Sequence, residues 1–416
     1  MENRYAGVVE SENTWKVEKN SEKRITGNYM EQYYYNRMNK IEQAVYHALY
    51  QGFLNIDEEI QIPRLEGEAL YNVFFKLRLD HPEIFWATGY KYKYYNDSPN
   101  LIFVPEYLFE KAKIKEHQKA MTARVEKIAR EAKTFSQWDK EKYIHDFLCE
   151  SIHYDKLKKP YSHEIIGPLG HGVGVCEGIA KSVKVLCDAL GIWCMIAVCG
   201  NNPEKGIKYR HTWNIVKIDG QYYHLDVTFD NTLGNYEKKE NQKPENKTPR
   251  NTSGKNKAGK AEQMDFRYDY FNLDDKNIFR DHEPLLYPAP ACNEGGHFYY
   301  KEKKLSFTKM EDVYKRSLQA AKKGRVLTFH WRGGYLTKEV LKELLEEIER
   351  AGREKNKQPQ ISLNWAQAVL RVEYQELPEG MIRETKVVME DANEGEREII
   401  GNREKHRKCV GSRAKE

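Results

Sequence analysis

The sequence has no stretch of about 18 consecutive apolar residues, the length a membrane-crossing helix needs. Its opening, MENRYAGVVESENTWKVEKN, lacks the apolar core of a secretion signal. Both absences predict a cytoplasmic chain that makes no use of a membrane. Cysteine is scarce and scattered: Cys149, Cys176, Cys187, Cys194, Cys199, Cys292 and Cys409, with no CxxC pair and no His/Cys spacing for a zinc site. An odd set without pattern excludes a disulfide framework, and most of these thiols are expected to be reduced and packed as small hydrophobes. No DxDxDG calcium loop is present, so neither a metal nor another cofactor is expected. An excess of one charge is lacking too, since 68 Lys and Arg face 63 Asp and Glu. The lysine-rich stretches 237–263 and 402–416 hold no interleaved aromatics for base stacking, so nucleic acid is not an expected partner.

What is present is 40% apolar residues, enough for a sizeable core in a chain of this length. Residues 1–28 are polar and aperiodic and are expected to be disordered. Over 29–106 the pattern predicts a small α+β region. Ile41, Val45, Leu49 and Phe53 recur at helical spacing, GEALYNVFFKLRLDHPEIF reads as a helix ended by Pro82, and FWATGYKYKYYND and NLIFVPEY read as strands. A central core is expected over 107–295. It begins with a charged helix from about Tyr107 to Glu131 and a second helix opened by Ser136, with Asp139 three residues on. Within it, 237–263 has no large apolar residue and is expected to be a disordered insertion. A C-terminal α/β unit is expected over 296–380, built from MEDVYKRSLQAAKKG, RVLTFHW, TKEVLKELLEEIERAG and AVLRVEYQEL, followed by a charged flexible tail over 381–416.

The chemistry concentrates in GHGVGVCEGIAKSVKVLCDALGI, residues 170–192. After Cys176, the residues Ile179, Val183, Leu186 and Leu190 form a helical stripe stopped by Gly191, so Cys176 stands at a helix N-terminus. There the helix dipole and unclaimed N–H groups favour a thiolate. Cys187 and Cys194 fall inside apolar elements and read as core thiols. A thiolate nucleophile needs a histidine and the histidine needs an orienting acceptor. Both are offered by RHTWNIVKIDGQYYHLDVTFD, two alternating runs joined by Asp219-Gly220, a type I′ hairpin signal. Pairing Ile218 with Gln221 places Trp213 opposite Asp226 and His211 opposite Thr228. His211 and Asp226 then share a face as diagonal neighbours about 7–8 Å apart. His224 shares that face, opposite Ile215, and spacing alone does not choose between the two histidines.

VCEGIAKSVKVLCDALGI followed by HTWNIVKIDGQYYHLDVTFD resembles the core of bacterial transglutaminase-like proteins. That resemblance implies an α+β, papain-like fold in which a helix carrying the cysteine packs on an antiparallel sheet carrying the histidine and aspartate. It implies a catalytic triad of Cys176, His211 and Asp226, with His211 ahead of His224 and Asp226 ahead of Asp230. It further implies a cysteine-dependent acyl-transfer enzyme acting on peptide or glutamine-type amides of a protein or peptide substrate, more as a hydrolase than as a crosslinker. The alternative is a protein-binding scaffold that keeps the fold without turnover. Phe229 stands where the family more often has tryptophan, and the polar insertion follows the aspartate directly. No glutamine precedes the cysteine as a second oxyanion donor; His171 is the candidate in its place. Trp213 either lines the cleft and shields the His–Asp pair or simply packs in the strand, and Glu177 reads as a helix-capping carboxylate.

Overall fold

The structure, a computed structural model, describes residues 32–94, 98–202, 204, 210–234, 266–376 and 385–390. The expected disorder of 1–28 and 237–263 therefore concerns residues outside the described ones. Among the described residues no helix is long and apolar enough to cross a membrane.

The chain begins with α1 (Lys40–Asn55), started by a capping box in which Asn39 accepts from Glu42 N–H and the Glu42 side chain bonds back to Asn39 N–H. Val45, Leu49 and Phe53 are buried as the spacing predicts, but Ile41 is 57% exposed because the buried face, which also takes in Tyr46 and Tyr50, is centred about a quarter turn away from it. Next come β1 (Ile60–Pro63), α2 (Gly67–Asp80), β2 (Ala87–Tyr94) and β3 (Asn100–Tyr107), whose strands form an antiparallel sheet in the order β1-β3-β2.

The central part opens with α3 (Lys111–Ala132) and α4 (Gln137–Ser151), the latter capped by Ser136 Oγ accepting from Asp139 N–H at 3.1 Å. A parallel two-residue pair, β4 (His153–Tyr154) with β5 (Val173–Gly174), leads into α5 (Cys176–Leu190). Behind α5 lies an antiparallel sheet of β6 (Trp193–Val198), β7 (Thr212–Ile218), β8 (Gln221–Leu225) and β9 (Phe271–Leu273), in that order. Between β8 and β9 runs α6 (Val227–Gly234), and α7 (Asp275–Ile278) and α8 (Tyr299–Glu302) complete this part. Burial around α5 extends to its lysines, each paired: Lys181 with Glu164 at 2.9 Å, Lys184 with Asp188 at 3.0 Å. The N-terminal region and the central part, read from sequence as successive stretches, share one continuous apolar cluster that runs from Tyr33 to Tyr300 and takes in Val369 of the C-terminal unit.

The C-terminal unit has its own cluster, from Phe307 to Tyr374. It consists of β10 (Ser306–Phe307), α9 (Met310–Lys323), β11 (Leu327–Trp331), α10 (Lys338–Glu354), β12 (Lys357–Asn364), β13 (Val369–Glu376) and β14 (Lys386–Glu390), with sheet order β10-β11-β13-β12-β14. Three of these strands depart from expectation, the short β10 and two longer ones. KQPQISLN forms β12 because Pro359, Ile361 and Leu363 alternate into the core, and Pro359 is tolerated because pairing with β14 starts only at Gln360. Lys386–Glu390, expected within the flexible tail, is instead a strand parallel to β12. Its hold is the backbone ladder and a buried pair between Arg267 Nη1 and Glu390 Oε2 at 2.7 Å, neither of which composition reveals. The rest of 381–416 lies outside the described residues.

Candidate active site

Cys176 is the first residue of α5, and Val175 before it is extended (φ −97°, ψ 174°) with no side chain capping the turn. The first N–H groups of the helix are therefore not claimed by a capping side chain, and their partial positive charge lies at the thiol. The helix start is pinned by close backbone approach. Val175 N–H donates to Ser162 O at 3.1 Å, and a Cβ on Gly178 would lie 2.2 Å from that same oxygen. Only glycine allows this packing. Glu177 does not cap the helix as expected. Its carboxylate meets Lys181 Nζ at 2.8 Å, His163 Nδ1 at 3.2 Å and Arg78 Nη2 at 3.4 Å. Burial alone would raise its carboxyl; Lys181, His163 and Arg78 together hold it well below the usual range, so its charge beside the thiol is countered.

His211 comes just before β7 and is tied to β6 by Cys199 N–H donating to His211 O at 3.0 Å. Its Nε2 lies 2.6 Å from Asp226 Oδ2, which leaves Nδ1 to face the thiol. Burial pushes the Cys176 thiol up, but hydrogen bonding and charge from His211, with hydrogen bonds from Thr212, bring it below the ordinary thiol value. Burial likewise opposes the charged form of His211, and Asp226 and Cys176 overcome it, holding the imidazole well above the usual histidine range. The three sequence-selected side chains thus lie together, with His211 bonded to Asp226 and its charge favouring ionisation of the Cys176 thiol.

The hairpin that brings this about is paired as predicted, with Ile218 opposite Gln221 and positive φ at Asp219 (49°) and Gly220 (87°). The ladder nevertheless stops at Asn214 and Leu225, so His211 does not pair with Thr228. Asp226 N–H turns to Tyr270 O at 3.0 Å, and the chain enters α6 at Val227. The reason is Asp226 itself. Its Oδ1 accepts from Thr228 N–H (2.9 Å) and Phe229 N–H (3.1 Å), capping the first turn of α6 while Oδ2 serves His211. Burial would raise this carboxyl, and His211 and then His282 hold it far below the usual range.

His224 is taken up elsewhere. Its Nδ1 accepts from Trp213 Nε1 at 2.9 Å and its Nε2 faces Asp275 Oδ1 at 2.8 Å. Trp213 is packed in the sheet at 1% exposure, as a strand aromatic and not as a wall open to a cleft, and its ring lies nearly parallel (20°) to His211, 5.8 Å away. The structure does not bring His171 into this cluster. It is exposed at the end of the turn Gly167–His171, whose first three residues are buried, with its ring against Tyr161, 4.9 Å away, whereas the partners of Cys176 are His211 and Thr212.

Sequence reasoning missed His282. Its Nε2 lies 3.0 Å from Asp226 Oδ2 and its Nδ1 lies 2.8 Å from Asp281 Oδ1. It sits in DHEP, outside any periodic element, and 56 residues beyond its partner Asp226. Among the described residues, two groups have ligand-type atoms within 4.8 Å of one another: His211, Asp226 and His282, and His224, Asp275 and Cys292. In both, imidazole and carboxylate are in direct hydrogen bonds of 2.6–3.0 Å, closer than ligands placed about a tetrahedral zinc. In the second group, Trp213 donates to His224 Nδ1, so Nε2 of the neutral ring keeps its proton and offers no lone pair. A further Cys, His and Asp, namely Cys149, His145 and Asp230, lies sealed between α4 and α6 with Cys149 Sγ 3.7 Å and Asp230 Oδ2 3.2 Å from His145 Nε2. Burial raises that thiol and solvent does not reach it.

Residues 122–227, the stretch that contains Cys176, His211 and Asp226, match the model of the transglutaminase-like superfamily. The chain carries a transglutaminase-like core. Solved structures similar to this chain include a TGase, at 12% identity and TM-score 0.22, with 40% of this chain and 48% of that one covered. Another is a "putative cysteine protease" from Cytophaga hutchinsonii, at 13% identity and TM-score 0.23, with 34% of this chain and 61% of that one covered. The chain therefore spans about half to three fifths of the length of these two structures. No curated protein matches the sequence.

Proposed function

We propose that the protein is a cysteine-dependent acyl-transfer enzyme that cleaves peptide or glutamine-type amide bonds, with Cys176 as nucleophile, His211 as acid and base and Asp226 as orienting carboxylate. The observation that carries this reading is a thiol at a helix start under the influence of His211, which Asp226 holds over 2.6 Å. The Cys176 thiolate adds to the amide carbonyl carbon, and the charged oxygen meets the Cys176 N–H at the start of α5. The C–N bond breaks as the His211 imidazolium gives its proton to the leaving nitrogen, releasing an amine or ammonia and leaving a thioester on Cys176. Neutral His211 then takes a proton from water while the water oxygen displaces the sulfur. The carboxylic acid leaves and the thiolate–imidazolium pair is restored. Water is favoured as acceptor because it needs no second binding site, whereas a lysine side chain does.

The test is incubation with a glutamine-containing peptide and a labelled amine. Hydrolysis gives ammonia or a new peptide terminus without label in the peptide, and Cys176→Ala abolishes the release. Incorporation of label would assign the acceptor as an amine. Turnover unchanged in Cys176→Ala would remove Cys176 from the reaction.

A further inference from the structure

Asp226 Oδ2 accepts from two imidazoles, His211 Nε2 at 2.6 Å and His282 Nε2 at 3.0 Å, while Oδ1 is filled by the Thr228 and Phe229 N–H groups. Every lone-pair direction of the carboxylate is thus occupied. The other nitrogen of His282 faces Asp281 Oδ1 at 2.8 Å. A ring with a carboxylate at each nitrogen donates from both, which makes His282 an imidazolium. Burial opposes that charge, and the hydrogen bonds to Asp226 and Asp281 raise it above the ordinary histidine range. Asp281 is held from behind: Tyr270 Oη donates to its Oδ2 at 2.6 Å, and Gln367 Nε2 lies 3.2 Å from each of its oxygens. Gln367 belongs to the turn between β12 and β13 in the C-terminal unit. That turn is docked on the central part by Gln367 Nε2 to Asn277 O at 3.2 Å and Asn364 Nδ2 to Asp269 Oδ2 at 3.0 Å.

We propose that His282, held by Asp281 and by Gln367 of the C-terminal unit, is a positioning residue that shares the Asp226 carboxylate with His211 and sets the proton affinity of that base. This rests on the reading of Cys176, His211 and Asp226 as the triad. With one side of Oδ2 taken by His282, His211 has one remaining approach to the carboxylate, which fixes the plane of its ring. The two ring centroids are 5.4 Å apart, so the charge on His282 opposes a second charge on His211 and offsets part of what Asp226 contributes. The charged and titratable groups around His282 are Asp226 and Asp281, which favour its charge, and His211 and His224, which oppose it. Phe229, Trp213 and Tyr270 pack their rings against it and exclude water. The C-terminal unit is on this account a part of the catalytic apparatus, although none of its residues touches the thiol.

The experiment is the pH dependence of Cys176 alkylation by iodoacetamide in the full chain, followed by mass spectrometry, which requires no knowledge of the substrate. His282→Gln keeps a donor to Asp226 and removes a positive charge. Both steps of the profile, formation of the thiolate–imidazolium pair and loss of the imidazolium proton, are expected to move up by about one pH unit. In Gln367→Ala, Asp281 loses the amide that fixes it, the His282 charge is held less firmly against Asp226, and the profile moves the same way by less. A merely structural role would lower the melting temperature and leave both steps in place. If wild-type Cys176 fails to label ahead of the other cysteines, the triad reading itself fails. If it does label first and the His282→Gln profile superimposes on wild type, the proposal is overturned. Should His282→Gln not melt cooperatively, Gln367→Ala carries the test, and a wild-type profile there overturns it equally.

Discussion

Trp213 donates its indole N–H to His224 Nδ1 over 2.9 Å, and His224 Nε2 faces Asp275, so this histidine is closed on both nitrogens. His211, one residue before the same strand, has a nitrogen to spare. His211→Asn is therefore expected to slow alkylation of Cys176 at mildly acidic pH by at least about tenfold, as a thiol without its imidazolium returns to ordinary acidity. His224→Gln should leave that rate within about twofold and lower urea stability by about 1–3 kcal/mol, the cost of disturbing a buried hydrogen-bonded group. The reverse pattern would reassign the base.

The depressed carboxyl of Asp226 makes a signed statement about acid stability. A group whose folded value lies below its unfolded value, about 3.9 for aspartate, stabilises fully above that value and loses its contribution as pH falls through the folded one. Asp226→Asn should thus be less stable than wild type at neutral pH, with the gap narrowing on acidification below about pH 4. Urea unfolding at a series of pH values measures this. A gap independent of pH would show that the loss comes from the cap of α6 rather than from charge.

Gly178 offers a test of how the nucleophile is placed. Its absent Cβ makes room for Ser162 O at 2.2 Å, so Gly178→Ala is expected to cost about 1–3 kcal/mol and to slow Cys176 alkylation together with it. Gly296→Ala, with nothing within 4 Å of the new Cβ, is the control and should be nearly neutral in both measurements.

Glu390 is expected to hold β14. Its partner Arg267 is buried at 1% exposure and is bonded on its other side to Asp269. Glu390→Gln leaves that guanidinium with half its counter-charge, a loss of about 3 kcal/mol in thermal or urea unfolding. Amide exchange should quicken in Lys386–Glu390 before it does in β12. Equal protection in variant and wild type would mean that the backbone ladder alone suffices.

The helix-start thiol and its neighbours are legible because each depends on local pattern: a helix stripe that starts at Cys176, and an Asp-Gly turn that sets the register carrying His211 and Asp226. The end of β8 was not legible. DVTFD continues the alternation of a strand, yet Asp226 spends one oxygen on α6, a choice made by the Tyr270 carbonyl arriving from 44 residues away. His282, Asp281 and Gln367 carry no periodic signal and meet Asp226 only through tertiary packing. The same holds for β14, whose strand exists because β12 offers it an edge. Ile41 fits the helical spacing and is still exposed, since spacing names a face and not its exact centre.

Asp230, one turn along α6 from Asp226, accepts the backbone N–H groups of Asp269 (2.7 Å) and Tyr270 (3.1 Å) through its Oδ1. The chain leaving α6 at Gly234 and the chain returning at Phe266 are therefore stapled together at their stems, next to Asp226. Between ends held this way, each doubling of a flexible connection costs only about 0.6 kcal/mol of closure entropy. Replacing 237–263 by a few glycines and serines should therefore leave Cys176 alkylation as it is, because Asp230 holds the stems whatever joins them.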